Sequence, residues 1–278
     1  MDRQELEGWL ATMRPRLHSF CGRMMGSALD GEDVVQEALA RAAASYTTSA
    51  PIVNREGWLF RIARNAAIDM LRQRRSAAEM IDETVDDPRA DSAARAEVTL
   101  GFTAFLPLPP PQRASVVLVD VLGYSLAETA AILETSVAAV KATLHRGRSR
   151  LAAPPAPAPV DTQEKLRLRA YADLFNARAF DALRDLLAAD VRLDLPQKIR
   201  LEGKTDVSVY FVRYSTADIL WRAEPVIADG RPALLLTDSV DAANRSVVFL
   251  GWSDGRISTI RDFLHARYIM DGIDIARI

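Results

Sequence analysis

In the first half of the chain, apolar residues recur every three or four positions, which is the spacing of an amphipathic helix. One such face consists of Val34, Val35, Ala38, Leu39 and Ala42. A second long helix is predicted over residues 55–75, and its buried face consists of Leu59, Ile62, Ala66 and Met70. Asp30 stands at the start of the first helix, where an aspartate side chain caps free backbone N–H groups. The pattern predicts an all-α structure for this half.

After residue 160 the pattern changes. One helix is predicted over residues 163–188, and it is followed by short runs rich in Val, Leu, Ile and Phe. Turn sequences such as Ala228-Asp-Gly-Arg231 and Ser253-Asp-Gly-Arg256 separate these runs, as is typical of hairpins in an antiparallel sheet. The second half is therefore predicted to be an α+β domain.

The sharpest local pattern lies between residues 125 and 151. Ser125-Leu-Ala-Glu128 has the form of a capping box at the start of a short helix, and Glu134-Thr-Ser136 interrupts it. A longer helix follows, with an apolar face made of Val137, Val140, Leu144 and Leu151. Its other face has no acidic residue and carries Lys141, His145, Arg146, Arg148 and Arg150. This is the pattern of a DNA-binding helix-turn-helix, although an ordinary helical hairpin with a solvated basic face has the same features.

A second basic cluster lies on the helix predicted over residues 55–75. It consists of Arg61, Arg64, Asn65, Arg72, Arg74 and Arg75. Guanidinium groups bind phosphates, and the amide of an asparagine can hydrogen-bond to the edge of a base. Trp58 could stack on an unpaired base, but packing in the core is the more common role of a tryptophan, and we favour it.

Composition divides the chain into five segments. Residues 79–97 are rich in Asp and Glu, and residues 152–159 alternate Ala with Pro, so both stretches are predicted to be linkers. We predict a helical domain over residues 1–78, an acidic linker over 79–98 and the helix-turn-helix domain over 99–152. A proline-rich linker over 153–160 and the α+β tail over 161–278 complete the chain.

Net charge and cysteine content exclude several classes of protein. The chain has 35 basic and 37 acidic residues, so any site for nucleic acid must be local. The single cysteine, Cys21, rules out a disulfide framework, and His18, His145 and His265 are scattered, so we expect no metal site and no cofactor. The sequence has no apolar run of about 20 residues and no signal peptide, which predicts a cytoplasmic protein.

The first 150 residues resemble the extracytoplasmic-function (ECF) sigma factors of bacterial RNA polymerase. Their region 2 is similar to Asp30-Gly-Glu-Asp-Val-Val-Gln-Glu-Ala-Leu-Ala-Arg41 and to Trp58-Leu-Phe-Arg-Ile-Ala-Arg-Asn-Ala-Ala-Ile-Asp-Met-Leu-Arg-Gln-Arg-Arg75. Their region 4 is similar to the stretch that begins at Leu108-Pro-Pro-Pro-Gln-Arg113 and ends at Leu151. Two separate motif sets in the right order make this a specific resemblance.

The resemblance implies a promoter-recognition subunit that binds the clamp coiled coil and the flap of core polymerase. The residues that match the docking helix are Asp33, Gln36 and Glu37. The helix from Trp58 to Arg75 matches the part that melts and recognises the −10 element. The helix that follows the turn matches the part that recognises the −35 element, and its contact positions are Ser136, Lys141, Thr143, His145, Arg146 and Arg148.

The tail resembles the SnoaL-like, cone-shaped α+β fold related to nuclear transport factor 2. The resemblance rests on Leu166–Ala177, Leu201-Glu-Gly-Lys-Thr-Asp-Val207 and the stretch that begins at Val247. It implies a built-in regulator, which could bind an unidentified small ligand. Asp194, Asp262 and His265 are titratable residues near predicted strands, so an enzyme is the alternative.

Three hypotheses follow. We predict a sigma factor with a regulatory tail and no catalytic activity. A helix-turn-helix regulator with a ligand-sensing tail is the second hypothesis, and a DNA-binding head fused to a SnoaL-type enzyme is the third. A simple regulator has no need of a polymerase-docking helix, so the region 2 motifs favour the sigma factor.

Overall fold

The computed structural model describes residues 3–46, 52–79, 101–151 and 162–278. The chain divides into two compact units, Met1–Pro155 and Ala156–Ile278, and each has its own hydrophobic core. We call them the head and the tail. Apart from Glu79, the two predicted linkers lie outside the described residues. No described helix is both long and apolar enough to cross a membrane.

The described part of the head is entirely helical. Its first three α-helices are α1 (Arg3–Met25), α2 (Ala28–Tyr46) and α3 (Arg55–Glu79). A short 3-10 helix (Phe102–Phe105) leads into α4 (Pro110–Val116), a π-helical segment (Val117–Val121), α5 (Leu126–Leu133) and α6 (Val137–Arg150). Helices α1 and α2 cross closely, since a Cβ atom on Gly31 would lie 2.5 Å from the Cα atom of Gly22. The predicted all-α class is confirmed.

Two details of the sequence prediction are wrong in the head. Asp30 does not cap α2, because that helix begins at Ala28 and the hydroxyl of Ser27 accepts a hydrogen bond from the backbone N–H of Asp30 at 3.3 Å. Asp30 instead binds Arg74 through an ion pair of 2.8 Å. Val137 does not belong to the buried face of α6, since 39% of it is exposed beside the turn, whereas Val140 and Leu144 are buried as expected.

The two halves of the head, α1–α3 and α4–α6, share one core. The rings of Phe60 and Tyr124 meet edge to face with 5.4 Å between their centroids. Arg113 is buried, and its guanidinium donates hydrogen bonds to the carbonyl oxygens of Met24, Leu106 and Leu108. Because Met24 lies in α1 and Arg113 in α4, this side chain ties the halves together. Burial lowers its pKa to about 10.

The described part of the tail combines three α-helices and a short 3-10 helix (Arg267–Asp271) with a seven-stranded sheet. Its helices are α7 (Thr162–Asn176), α8 (Phe180–Asp185) and α9 (Lys204–Thr216). Its strands are β1 (Leu187–Leu195), β2 (Ile199–Glu202), β3 (Trp221–Ala228), β4 (Arg231–Asp238), β5 (Arg245–Ser253), β6 (Arg256–Asp262) and β7 (Ile275–Arg277). The strand order is β2-β1-β6-β5-β4-β3-β7, and only β1 and β6 run parallel.

The helix predicted over residues 163–188 is in fact two helices followed by a strand. Arg178 has a φ of 56°, which breaks the helix between α7 and α8, and β1 already begins at Leu187. The hairpin predictions are confirmed: Asp229 and Gly230, and likewise Asp254 and Gly255, have positive φ values as tight hairpin turns require. The α+β class is confirmed, and the order of elements agrees with a SnoaL-like domain.

Candidate nucleic-acid interface

The predicted helix-turn-helix is present as α5, a turn and α6. Ser125 and Glu128 form the capping box: the Ser125 hydroxyl accepts from the N–H of Glu128 at 3.2 Å, and the Glu128 carboxylate accepts from the N–H of Ser125 at 2.9 Å. The Ser125 hydroxyl also donates to the Glu128 carboxylate at 2.7 Å, and this bond together with the one from the Ser125 N–H lowers the pKa of Glu128. Glu134 ends α5 in the left-handed conformation with a φ of 52°, and the Ser136 hydroxyl caps α6 by accepting from the N–H of Ala139.

The outer face of α6 is basic, but two of its predicted DNA contacts make hydrogen bonds within the head. Lys141, His145 and Arg146 are exposed, as predicted. Thr143 faces the core of the head, because its hydroxyl is 2.8 Å from that of Ser115 and donates to a backbone carbonyl of its own helix. Its placement does not support a base contact. Arg148 binds both carboxylate oxygens of Asp120, one of them at 2.9 Å, so its charge is partly neutralised.

The basic cluster on α3 is only partly open to a ligand. Arg61 makes an ion pair of 2.8 Å with Glu134, which lies in the turn before α6, and Arg74 binds Asp30. Asn65 and Arg72 are exposed, and Arg64 is half-buried. Arg75 lies in α3, but its side chain is outside what the structure describes. Trp58 is half-buried and packs on the core, 6.2 Å from the ring of Tyr46, as the sequence favours.

An open cavity of about 500 Å³ lies between α2 and α3. It is lined by Arg41, Ala44, Ser45, Ile62 and Asn65. Arg41 is held in place by Glu37 at 2.7 Å and Asp69 at 3.1 Å. The cavity combines an apolar wall with a hydroxyl, an amide and a guanidinium, which is the chemistry that binds an unstacked base.

Of the residues that line this cavity, only Asn65 is predicted from the sequence to have a functional role. The α2 residues that line it were missed because they lie on a helix whose polar residues had been assigned to polymerase docking. Their spacing offered a weak signal, since Arg41, Ala44 and Ser45 share one helical face.

The predicted polymerase-docking residues lie together on α2. Glu37 is exposed, while Asp33 and Gln36 are half-buried. The amide of Gln36 is 3.4 Å from the carboxylate of Glu32, which is fully buried and paired with Arg14. Asp33, Gln36 and Glu37 thus form one acidic and polar strip on α2. Through Gln36 this strip contacts the buried ion pair of Glu32 with Arg14.

The three candidate catalytic residues of the tail do not converge. Asp262 is buried and accepts hydrogen bonds from the hydroxyls of Tyr210 (3.0 Å) and Tyr214 (2.6 Å). Burial raises the pKa of Asp262, although these hydrogen bonds oppose the shift. Asp194 binds Arg200 and Arg261, each near 3.2 Å, and Arg261 points away from Asp262 because successive strand residues face opposite sides.

His265 lies apart from both carboxylates and contacts Arg213. Among the described residues no hydrogen bond joins Asp194, Asp262 and His265, so the acid–base pair of the enzyme hypothesis is not assembled. The described ranges also hold no group of three His, Cys, Asp or Glu side chains that could bind a metal ion.

Comparison with known families identifies the head. Residues 9–77 match the model described as Sigma-70 region 2, and residues 104–151 match Sigma-70, region 4. These two regions define a promoter-recognition subunit of RNA polymerase. The ECF RNA polymerase sigma factor SigG of Mycobacterium tuberculosis is 32% identical over 260 residues, which cover 79% of this chain and 70% of SigG. The chain therefore belongs to the ECF family of RNA polymerase sigma factors.

Two solved structures of sigma factors are similar to this chain. RpoE of Bartonella quintana, crystallised with the anti-sigma factor NepR, is 25% identical with a TM-score of 0.45, and the match covers 53% of this chain and 94% of RpoE. SigJ of Mycobacterium tuberculosis is 19% identical with a TM-score of 0.38, and the match covers 96% and 98% of the two chains.

The match of residues 9–77 to Sigma-70 region 2 decides between a sigma factor and a simple helix-turn-helix regulator, in favour of the sigma factor.

Proposed function

We propose a division of labour within this sigma factor. The strip on α2 binds the clamp coiled coil of core polymerase, the cavity between α2 and α3 holds an unstacked base of the −10 element, and the outer face of α6 contacts the −35 element. Region 4 also binds the polymerase flap. The observation that carries the proposal is the cavity, because a pocket with polar groups on an apolar wall suits a base that has left the duplex.

Charge reversal on the α2 strip is expected to weaken polymerase binding. In the variant Asp33→Lys/Glu37→Lys we expect affinity for core polymerase to fall at least tenfold, since two negative charges of the proposed interface are replaced by two positive ones. The fold should survive, because the exposed ion pair of Glu37 with Arg41 contributes only about 0–1 kcal/mol. Affinity would be measured by fluorescence anisotropy with labelled protein and core polymerase.

The matched control is Glu5→Lys/Glu7→Lys, which makes the same change in net charge on exposed positions of α1. If both double variants bind polymerase equally, the effect comes from overall charge and the docking assignment is wrong.

Two substitutions on α6 separate base contacts from phosphate contacts. Lys141 is exposed near the start of α6, so Lys141→Ala should change the preference among −35 sequences by about 1–3 kcal/mol at the contacted position. Arg148 lies near the end of the helix and is already bound to Asp120, so Arg148→Ala should weaken all promoters alike and by less. Transcription from a library of −35 variants with core polymerase measures both. Equal losses on every sequence for both variants would contradict this division.

We also propose that the tail regulates the head and does not catalyse a reaction. The head and the tail are separate compact units with separate cores, and the candidate catalytic groups of the tail do not meet. A domain tethered to the head acts at a high local concentration, so even a weak interaction alters activity.

A further inference from the structure

Arg213 and His265 are in contact in the tail, and the charges of Lys198 and Arg267 act on the same imidazole; we call these four basic residues the tail basic cluster. They come from three parts of the fold, namely the turn between β1 and β2, helix α9, and the segment after β6. The Nη1 atom of Arg213 is 3.2 Å from the Nε2 atom of His265. The amide of Gln197, next to Lys198, donates to the backbone carbonyl of His265 at 2.9 Å, which fixes the turn against this segment.

The cluster lacks the carboxylate partners that several other arginines of the tail have. Arg184, Arg192, Arg200 and Arg261 each make an ion pair with an Asp or Glu. In the part of the chain that the structure describes, no carboxylate lies within 4 Å of the cationic atoms of the tail basic cluster. The gathered positive charge is therefore left without compensation by the protein.

The carboxylates of Asp238 and Asp262 do not neutralise the positive charge of the tail basic cluster. Asp238 faces Arg267, but its carboxylate is occupied mainly by the N–H of Val240 and the amide of Asn244. Asp262, three residues before His265, is buried and points to the tyrosines of α9. Lys198, Arg213 and Arg267 carry three positive charges and Asp238 carries one negative charge, so the net charge of this region is about +2.

The positive charge of the tail basic cluster affects the pKa of His265. Burial lowers the pKa of His265, and the charges of Lys198, Arg213 and Arg267 lower it further. Near neutral pH the imidazole is therefore neutral and accepts a hydrogen bond from Arg213. Protonation would add a fourth positive charge, which an anion between these side chains would favour.

We propose that the tail basic cluster is a binding site for a diphosphate group. Guanidinium groups bind phosphate oxygens with two parallel hydrogen bonds, and lysine and histidine supply further N–H donors. A diphosphate carries two to three negative charges near neutral pH, which balances the charge of the cluster, whereas a single carboxylate does not. Because a bound anion favours protonated His265, binding is expected to tighten as the pH falls below neutrality and His265 gains its proton.

Imidazole NMR on the full chain tests this proposal. The chain has three histidines, so the resonance of His265 can be assigned by its loss in His265→Gln. Titration with inorganic pyrophosphate at constant ionic strength should shift this resonance and raise the pKa of His265. We expect Lys198→Gln or Arg213→Gln to weaken pyrophosphate binding about tenfold, the size of a lost hydrogen bond between charged groups.

The matched control is Arg192→Gln, which removes an exposed arginine of the same sheet that is paired with Glu202. It should leave the response of His265 unchanged. Lys198 is exposed, so Lys198→Gln keeps the test valid if Arg213→Gln does not fold. Adenosine diphosphate forms a second arm, and a response to both compounds supports a diphosphate site that accepts a nucleotide.

Two results would overturn the proposal. One is a His265 resonance that responds to pyrophosphate no more than to chloride at the same ionic strength. The other is a response to a short DNA duplex without any response to pyrophosphate, which would assign the cluster to nucleic acid instead.

Discussion

Filling the cavity between α2 and α3 is expected to remove most promoter-dependent transcription. Ala44 lines this cavity and is exposed, so Ala44→Phe places a ring in the space of the proposed base without disturbing the core. Stacking of a base on a protein surface contributes about 1–3 kcal/mol. Transcription should therefore fall by about 5- to 150-fold, measured with core polymerase on a promoter that the wild-type protein uses.

The next residue along α2 provides the control. Ala43 is also exposed but does not line the cavity, so Ala43→Phe should transcribe like the wild-type protein. Asn65→Ala should lower transcription less than Ala44→Phe, because it removes hydrogen bonds and leaves the space open. Binding of α6 to a −35 duplex should be unchanged in all three variants. Wild-type transcription by Ala44→Phe would show that no base enters this cavity.

Removal of the tail is expected to change promoter activity in a manner that depends on where the chain ends. A chain that ends at Pro159 keeps the proline-rich segment and should be more active than the full chain, because the proposed restraint by the tail is removed. A chain that ends at Leu151 should be less active than the one that ends at Pro159. Coupling of about 1–3 kcal/mol between domains changes activity by about 5- to 150-fold.

Transcription with core polymerase compares the three chains at equal concentrations of folded protein. The head has its own core, so both shortened chains are expected to fold. Equal activity of all three would leave the tail without a regulatory role and would return attention to the enzyme hypothesis. The same comparison with pyrophosphate present would show whether the tail basic cluster affects transcription.

Much of the fold was predictable because its signals are local. The capping box at Ser125, the turn before α6 and the Asp-Gly hairpins are short-range patterns, and the structure has all of them. The break at Arg178 was not predictable from such patterns, since neither glycine nor proline marks it. Local propensity for helix was overridden there by the packing of the tail.

The candidate site was harder to predict because it depends on contacts between distant residues. The sequence places Arg61 and Arg74 in a basic cluster, but their partners Glu134 and Asp30 are 73 and 44 residues away. Thr143 lies one residue from the exposed face of α6, and only the position of Ser115 shows that it turns inward. Ion pairs between residues of different helices determine which charged side chains remain available to contact DNA. The helical pattern of the sequence does not reveal those pairs.

The shared core of the head has a consequence for the affinity of this protein for its promoter. Elements centred near −10 and −35 are about 25 base pairs apart, or about 85 Å along the duplex at 3.4 Å per base pair. A compact unit of 155 residues has a radius of gyration of only about 15 Å. The arrangement in which Arg113 bridges α1 and α4 therefore cannot contact both elements at once.

We therefore expect promoter recognition to require an arrangement in which the two halves of the head have separated. The observed affinity equals the intrinsic affinity of that arrangement multiplied by the fraction of molecules that adopt it. A substitution of Tyr124 that weakens its contact with Phe60, or of Glu134 that removes its ion pair with Arg61, is expected to raise this fraction and tighten binding while it lowers the melting temperature of the head. We therefore expect the side chains that stabilise the head against heat also to limit its affinity for the promoter.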